Sequence, residues 1–434
     1  MSADMRPLLA ALALLLACPP GLHAESLQAL VDATPEGGEI VLAAATVYEG
    51  PVVIERAVVI DGQGSAVIDG GLDGTVVTIA SDGVTLKDLI IRNSGRLHNQ
   101  LDAGLKVKGN YNVVRDVRIE NSLFGIDLSE ASNNVFRRNY ISSKDMPLEM
   151  RGDSVRVWYS NDNLFENNHI EHSRDIVVWY SEGNVLKNNR IQHGRYGIHF
   201  MYAHDNSVLE NEISDCVVGV FLMYANDITV KHNQILRAWG AAGMGVGFKE
   251  TSGAVIEDNL ILGNAVGIYL DPSPWDPDKT NEFHRNEISY NGIGVQFHTE
   301  WQGNHFSDNN FRSNFTQISV RGRGTALKES WDGNHWDDYA GLDPDGDGTG
   351  DTPYEIYNYA DRLWMDLPPA AFFRGGLALA ALDFVERLAP FTEPELLVRE
   401  QNPMIDRIDH AAAQLEAAPQ TAPAPKSALE LLTQ

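Results

Sequence analysis

Residues 197–223, GIHFMYAHDNSVLENEISDCVVGVFLM, contain one full period of a repeat, because GIHFMYA returns 22 residues later as GVFLMYA. The wider pattern is an apolar residue, two variable residues, Asn, any residue, and then Ile, Leu or Phe. Its asparagines lie 21 to 29 residues apart, at Asn139, Asn168, Asn189, Asn211, Asn233, Asn259, Asn286 and Asn309. A recurring period of this size is typical of a solenoid.

The segments between the asparagines have strand periodicity. Runs such as GIHFM, GVGFK, GIYLD and GVQFH alternate apolar residues with period two, which indicates short strands. About 22 residues fit one coil of a parallel β-helix, which rises by one strand spacing of about 4.8 Å. We therefore predict an all-β solenoid over residues 25–325, opened by a capping helix, with the asparagines stacked as a scaffold ladder.

The N-terminal 24 residues have the pattern of an export signal. Arg6 precedes an apolar run over residues 8–17 that is too short to span a bilayer. Cleavage after Ala24 would leave Glu25 as the N-terminus of an exported protein. Lipidation at Cys18 is the alternative.

The C-terminal part has a different composition. Residues 326–365 are predicted to form a cap with an acidic Asp/Gly loop. Residues 366–410 are predicted to form a helical segment that either packs as a cap or lies on a membrane protein. Helices are predicted in the runs 368–391 and 396–418. The Ala/Pro-rich residues 411–434 are predicted to be disordered.

The formal charge of −27, from 60 acidic and 33 basic residues, argues against nucleic acid as a partner, because phosphates would be repelled.

The strand phase predicts two outward columns of unusual side chains. Ile198 and Phe200 align with apolar pairs in other coils and should face the core, so the residues between them should face outward. The outward positions over four coils are Trp158, Trp179, Met201 and Met223 in one column, and Arg156, Val177, His199 and Phe221 in the other. An apolar patch of this size is typical of a binding surface.

Two uses of this surface are open. It can dock a partner protein, with Trp158, Trp179, Phe221, Arg156 and His298 as contacts. Alternatively, it can bind Cu(I), which prefers thioether and imidazole ligands. The candidate ligands for Cu(I) are Met201, Met223, His199, His204, and Met146 and Met150 from the insertion DMPLEMRGD.

His172 and His193 should stack at a polar corner, and we interpret them as solvated. The loop GLDPDGDGTGDTPY has the spacing of a Ca²⁺ loop, but Tyr354 stands where a bidentate Glu is expected. Structural Ca²⁺ and an unmetallated acidic turn both stay open. The candidate Ca²⁺ ligands are Asp343, Asp345, Asp347, Thr349 and Asp351.

No outward column contains the paired carboxylates that glycoside hydrolysis needs, so no catalytic residue is predicted. A carbohydrate-active or carbohydrate-binding β-helix protein is the alternative function.

The stretches MYAHDN, GNHWDDYAGLDPDGDGTGDTPY and LLVREQNPM, together with the Asn repeats, resemble the NosD family. The resemblance implies a right-handed β-helix without enzymatic activity that handles Cu(I) transiently. It also implies a periplasmic role in assembling the copper–sulfide centre of nitrous oxide reductase (NosZ), with sulfur as a further possible cargo. The implied partners are the permease NosY, through which it would associate with the membrane, the ATPase NosF, the copper chaperone NosL and NosZ itself. The helical segment over residues 366–410 would then be the part that contacts the transporter.

Overall fold

The computed structural model describes residues 26–322, 324–358, 376–388 and 394–410. The predicted export signal, including Cys18, and the predicted tail after residue 410 lie outside these residues. The described chain is a right-handed parallel β-helix of about 13 turns, as predicted. No helix within the described ranges has the length and apolar character needed to cross a bilayer.

One face of the solenoid is a parallel sheet of 12 strands, which we call the site sheet. Its strands are Val52–Ile54, Val77–Ile79, Ala103–Val107, Phe124–Ser129, Val155–Trp158, Asp175–Trp179, Tyr196–Met201, Val218–Met223, Met244–Lys249, Val266–Asp271, Ile293–Phe297 and Thr316–Val320.

The other two faces form one sheet of 24 strands, because the long strands Val59–Asp69 and Thr85–Arg92 run through both. The second face also contains Glu39–Val41, Val113–Arg115, Val135–Arg137, Leu164–Glu166, Val185–Lys187, Ser207–Leu209, Thr229–Lys231, Val255–Glu257, Asn281–His284, Asn304–Ser307 and Ser330–Asp332. The third also contains Val47–Glu49, Arg118–Ser122, Tyr140–Ser143, His169–Glu171, Arg190–Gln192, Glu212–Ser214, Gln234–Leu236, Leu260–Leu262, Glu287–Ser289, Asn310–Arg312 and His335–Trp336.

Sharp corners separate the faces of the solenoid. In one coil the chain bends at Tyr202, Asp205, Glu210 and Asp215, with φ of 49°, 54°, 57° and 56°. This left-handed backbone conformation turns the chain without breaking the pairing between coils. Because every coil bends at equivalent positions, side chains in register form vertical columns.

The predicted asparagine ladder is confirmed. The Oδ1 of Asn168 accepts hydrogen bonds from the backbone N–H and the Nδ2 of Asn139, at 2.9 and 3.0 Å. The pattern repeats through each of the eight predicted asparagines, all at most 2% exposed, and continues to Asn334. Each buried amide is thereby paired, which removes the cost of burying it.

The two ends of the solenoid are covered. The predicted N-terminal helix is Leu27–Ala33, which buries Leu27 and Val31 against the first coil. At the other end Phe311, Trp336 and Tyr354 stack with centroid separations of 4.2 and 4.6 Å. Such caps protect the open sheet edge.

The C-terminal predictions need correction. Solenoid strands continue to Trp336, so the predicted boundary at residue 325 is too early. The expected second helix is wrong in its described part, because Glu395–Glu400 is a strand that pairs antiparallel with Tyr354–Asn358. This strand buries Leu397, Val398 and Glu400, so its burial pattern is not a simple alternation of apolar and polar residues. In the first predicted run, Leu377–Leu388 is helical. Short 3₁₀ turns lie at His98–Gln100 and Leu148–Met150.

Candidate functional site

The outward columns of the site sheet lie in the predicted register. Trp158 pairs with Trp179, Trp179 with Met201, and Met201 with Met223. On the same strands the second column contains Arg156, Val177, His199 and Phe221. Their neighbours Val157, Val178, Phe200 and Leu222 are fully buried inside the tube.

The columns are less exposed than the sequence suggested. Val177 and His199 are each only 8% exposed, and the other six residues are half-buried. Large neighbours on adjacent strands cover one another, because the strands lie only about 4.8 Å apart. The surface is therefore a packed apolar face rather than a set of free side chains.

A tyrosine ladder runs beside the columns, and the sequence analysis did not assign it a role. Each Tyr directly follows a Trp or Met of the outward column and adopts a left-handed conformation, with φ between 46° and 52°. Ring centroids are 5.1, 5.3 and 4.8 Å apart, and the planes are within 15° of parallel. The members are Tyr159, Tyr180, Tyr202 and Tyr224. The repeated dipeptides WY, WY, MY and MY were the available signal.

The tyrosine ladder widens the apolar face at its solvent side. Tyr159, Tyr180 and Tyr202 are 52%, 37% and 42% exposed, whereas the adjacent Trp and Met side chains are half-buried. Stacking fixes the rings in position, so little entropy is left to lose on binding. The face therefore has the rigid aromatic anchors that protein interfaces favour.

His199 occupies an unusual environment within the second column. Its ring stacks on Tyr196 at 4.7 Å and meets Phe221 edge-on at 5.8 Å. Burial lowers the pKa of His199 to about 4, so the imidazole is neutral at physiological pH. No described residue forms a hydrogen bond with its buried Nε2. A neutral imidazole without a partner is a ready donor to a metal or to a docking protein.

The two methionines lie next to this imidazole. Met201 follows His199 by two residues on the same strand and pairs in register with Met223 on the next. Phe221 fills the space above His199 and leans over Gly247, where an added Cβ would collide with its ring. The two thioethers and the imidazole thus lie on the outer side of two adjacent strands, and Phe221 covers the imidazole.

A buried ionic group closes the lower end of the columns. Asp127 is fully buried, and Arg156 and Lys106 lie 2.8 and 3.6 Å from its carboxylate oxygens. The Arg156 guanidinium also lies 4.8 Å above the Trp158 ring. Arg156 is therefore engaged below the methionines and orders Trp158.

Three predicted Cu(I) ligands lie apart from the cluster. His204 is around the next corner, where its Nδ1 accepts a hydrogen bond from the Asn226 backbone N–H at 3.1 Å. Met146 packs on the cluster of Ala103, Leu123 and Phe124. Met150 is exposed. The strand of Phe124 is separated from that of Met201 by two others, so the insertion does not fold over the methionines as expected.

His298 was predicted as a docking contact. Its Nδ1 lies 2.9 Å from the Tyr269 hydroxyl. It is exposed, but it lies three strands beyond Met223 in the site sheet. It therefore marks the far end of the same face, away from the thioethers.

The acidic loop brings part of its predicted ligand set together. The carboxylates of Asp343, Asp345 and Asp351 lie within 4.8 Å of one another. Asp347 instead accepts a hydrogen bond from the Thr349 backbone N–H at 2.7 Å. The Gly348 N–H is the largest of several backbone donors that lower the pKa of Asp343, which keeps this carboxylate charged.

Comparison with known proteins shows which family this chain resembles. The family model "Periplasmic copper-binding protein (NosD)" matches residues 137–341. A relative from Pseudomonas aeruginosa, "Probable ABC transporter binding protein NosD", is 28% identical over 131 residues, which are 30% of this chain. The match spans 31% of the length of that relative.

Solved structures share the fold. The A-module of the mannuronan C-5 epimerase AlgE6 from Azotobacter vinelandii has a TM-score of 0.54 at 18% identity, covering 71% of this chain and 93% of the module. The catalytic unit of a GH87 α-1,3-glucanase from Streptomyces thermodiastaticus has a TM-score of 0.50 at 15% identity, covering 71% and 66% of the two chains. At these identities the likeness concerns architecture alone.

The matched range contains the outward columns, the tyrosine ladder and most of the solenoid. The chain is therefore NosD-like over residues 137–341, the range that the family model of periplasmic copper-binding proteins matches.

Proposed function

We propose that this protein is a periplasmic accessory subunit of an ABC transporter and receives Cu(I) for assembly of the copper–sulfide centre of nitrous oxide reductase. The family match over residues 137–341 carries the proposal. The transporter association is supported by the name of the Pseudomonas relative. In this proposal the protein has no enzymatic activity, and copper is a cargo that it passes on.

The Cu(I) site in this proposal consists of Met201, Met223 and His199. Soft thioethers and a neutral imidazole are the donors that Cu(I) prefers. His199 is already deprotonated, and its Nε2 has no partner among the described residues. Binding would therefore release no proton and break no hydrogen bond.

Docking of the copper chaperone NosL and of the reductase NosZ is assigned to the adjacent aromatic face. Trp158 and Trp179 pack edge to face at 4.8 Å, and the tyrosine ladder exposes a rigid row of rings beside them. Phe221, Arg156 and His298 complete the proposed contact set. A partner bound to this face would lie directly over the Met201–Met223 pair and could exchange an ion with it.

Attachment to the permease NosY, coupled to the ATPase NosF, is assigned to the C-terminal helix. Leu377, Phe384 and Leu388 are exposed on this helix, at spacings that place them along one side of it. Exposed apolar residues at this spacing suit docking on another protein. The ion in the acidic loop is proposed to be a structural Ca²⁺ that fastens the C-terminal cap.

A Cu(I) titration of the purified mature protein tests the proposal. One equivalent of Cu(I) should bind against a competing chelator. The double variant Met201→Leu/Met223→Leu should weaken binding about tenfold or more, because Leu keeps the volume but removes both sulfurs. The control Met150→Leu should bind like the wild type, since Met150 lies outside the cluster. Equal affinity in all three proteins would contradict the assigned site. Turnover of an oligosaccharide panel would favour the carbohydrate alternative instead.

A further inference from the structure

We propose that Glu171, His172 and His193 form a second metal site, for a divalent transition-metal ion of the Zn²⁺ or Cu²⁺ type. One ligand atom from each of the three residues lies within 4.8 Å of the others. The inference does not depend on the proposed Cu(I) role, because none of these residues belongs to the outward columns.

The candidate ligand atoms are almost as close to one another as the ligand atoms of a bound metal ion. The Nδ1 of His172 lies 3.7 Å from the Oε2 of Glu171. Ligand atoms of a tetrahedral ion at about 2.0–2.1 Å lie about 3.3 Å apart. The two imidazoles are stacked with centroids 4.9 Å apart and planes 16° from parallel, so both can turn a nitrogen toward the same point. Both rings are exposed, and small rotations of their side chains would therefore not disturb the core.

The backbone holds the ligands in place before any ion binds. His172 and His193 occupy equivalent corners of successive coils, with φ of 51° and 56°. Their N–H groups donate to the carbonyls of Gln192 and Ser214 in the following coils. The separation between the two imidazoles is thus fixed by the strand spacing, which lowers the entropy lost on binding.

A neighbouring side chain holds the Glu171 carboxylate in place by a hydrogen bond, as is common for metal ligands. The Tyr140 hydroxyl donates to its Oε1 at 2.7 Å, which leaves Oε2 for an ion. The Nε2 of His169 lies 3.6 Å from Oε2. A carboxylate held by a second group is typical of built metal sites.

The donor set selects the class of ion. Two imidazoles and one carboxylate suit Zn²⁺ or Cu²⁺, whereas Ca²⁺ and Mg²⁺ prefer oxygen ligands alone. The site precedes the strand that ends at Met201, and that strand has six residues. At about 3.3 Å per residue, His199 and Met201 lie about 10 and 17 Å along this strand from its first residue, Tyr196. A borderline divalent ion and a soft monovalent ion could therefore be held at the same time.

Zn²⁺ titration of the tag-free mature protein tests the site. Ca²⁺ is kept in excess to occupy the acidic loop, and a colorimetric chelator reports free Zn²⁺. One Zn²⁺ should bind to the wild type. His172→Gln and His193→Gln should each weaken binding about tenfold or more. Co²⁺ should give the visible spectrum of a tetrahedral site in the wild type and lose it in both variants.

His232→Gln is the matched control. His232 is an exposed corner histidine with φ of 57° and a carboxylate oxygen of Asp258 at 4.0 Å, but it is not part of the Glu171–His172–His193 group. It should bind Zn²⁺ like the wild type. A wild type that binds no more tightly than the His172→Gln/His193→Gln double variant would overturn the proposal. So would equal losses in all three single variants, because binding would then be spread over surface imidazoles.

Discussion

Met201 and Met223 lie directly opposite each other on adjacent parallel strands, although 22 residues separate them in the chain. The neighbouring pairs Ile198–Val220 and Phe200–Leu222 are in the same register and fully buried. Shifting either strand by one residue would turn its core residues outward. The tube therefore fixes the thioether pair and keeps it on the outer face.

His199 should make Cu(I) binding insensitive to mild acid. A free histidine protonates near pH 6.5 and would lose its metal below that value. Burial lowers the pKa of His199 to about 4, so the imidazole stays neutral until the pH approaches that value. We expect equal Cu(I) affinity at about pH 7.5 and pH 5.5, measured with a chelator calibrated at each pH.

The variant His199→Phe separates this role from simple packing. The Phe ring fills the space of the imidazole between Tyr196 and Phe221 but lacks its nitrogen donor. The variant should therefore weaken Cu(I) binding about tenfold. A marked loss of affinity in the wild type at about pH 5.5 would mean that the ligand is a solvated histidine instead.

The tyrosine ladder should carry partner affinity without affecting copper. Tyr180→Ser/Tyr202→Ser removes two stacked rings and should weaken binding of the purified copper chaperone about tenfold or more. Cu(I) affinity should be unchanged, because the thioethers and His199 remain. Tyr290→Ser is the matched control, since Tyr290 is also exposed at a corner, with φ of 55°. Surface plasmon resonance with immobilised chaperone measures the difference. Equal effects of the two substitutions would place the interface elsewhere.

The asparagine ladder should dominate the stability of the central coils. Asn233 accepts from the backbone N–H and Nδ2 of Asn211 at 2.8 and 3.0 Å, and its own Nδ2 donates to Asn259. Asn233→Ala would leave buried donors unpaired, so we expect a loss of about 3 kcal/mol. Urea unfolding followed by circular dichroism measures it.

Asn188→Gly is the control for the ladder. Asn188 is an exposed corner residue with φ of 52°, a conformation that Gly adopts freely. Its replacement should cost less than about 1 kcal/mol. If Asn233→Ala cost no more than this control, the ladder would have no special energetic role.

The periodic part of the molecule was predictable from the sequence because its signals are local. The spacing of Asn139 and its equivalents predicts the ladder, and the alternation around Phe200 predicts which side chains face outward. The tyrosines escaped notice because Tyr202 lies at a corner, where strand alternation gives no information about direction. Their alignment becomes visible only when the coils are stacked.

The non-periodic part was predicted less well for a physical reason. Glu395–Glu400 pairs with Tyr354–Asn358 across about 40 residues of chain, and no local pattern encodes that pairing. The position of Met146 was missed for the same reason, since an insertion can fold toward either end of a strand. The imidazole of His204 is chemically suited to bind a metal. Its Nδ1 instead accepts a hydrogen bond from Asn226 in the next coil, which the local sequence does not reveal.

The C-terminal cap should be less stable in mild alkali than in mild acid. Glu400 accepts from the Asn334 N–H at 2.7 Å and from Trp336 Nε1 at 2.6 Å, ending the asparagine ladder. Burial raises its pKa from 4.5 to about 7, and burial likewise raises the pKa of Glu329 to about 7. Because these pKa values are higher in the folded state, their contribution to stability is fully present below about pH 4.5 and is lost as the pH rises through about 7.

The urea midpoint should therefore fall between about pH 5.5 and pH 8. The double variant Glu329→Gln/Glu400→Gln has no ionisable group at these positions. Its urea midpoint should therefore change less over the same pH range. If the urea midpoints of wild type and variant changed with pH in parallel, the pKa values of the two carboxyl groups would not differ between the folded and unfolded states.

Calcium should fasten the acidic loop to the C-terminal strand. The loop is already joined to the segment after that strand, since the Gly350 N–H donates to the Pro403 carbonyl at 2.8 Å and the Ile405 N–H to that of Gly348 at 3.0 Å. An ion held by Asp343, Asp345 and Asp351 would neutralise their mutual repulsion and stiffen this connection. We expect Ca²⁺ to raise the thermal midpoint by about 3 °C or more and to slow proteolysis between residues 341 and 405.

Asp343→Asn/Asp345→Asn should abolish both effects of Ca²⁺, because two charged ligands are lost. Asp278→Asn, at an exposed acidic loop elsewhere, should leave both unchanged. Mg²⁺ at the same concentration should not substitute, since it demands a near-ideal octahedral site, whereas Ca²⁺ accepts irregular sets of oxygen ligands. Stabilisation of the double variant by Ca²⁺ to the same extent as the wild type would assign the ion to another part of this strongly acidic surface.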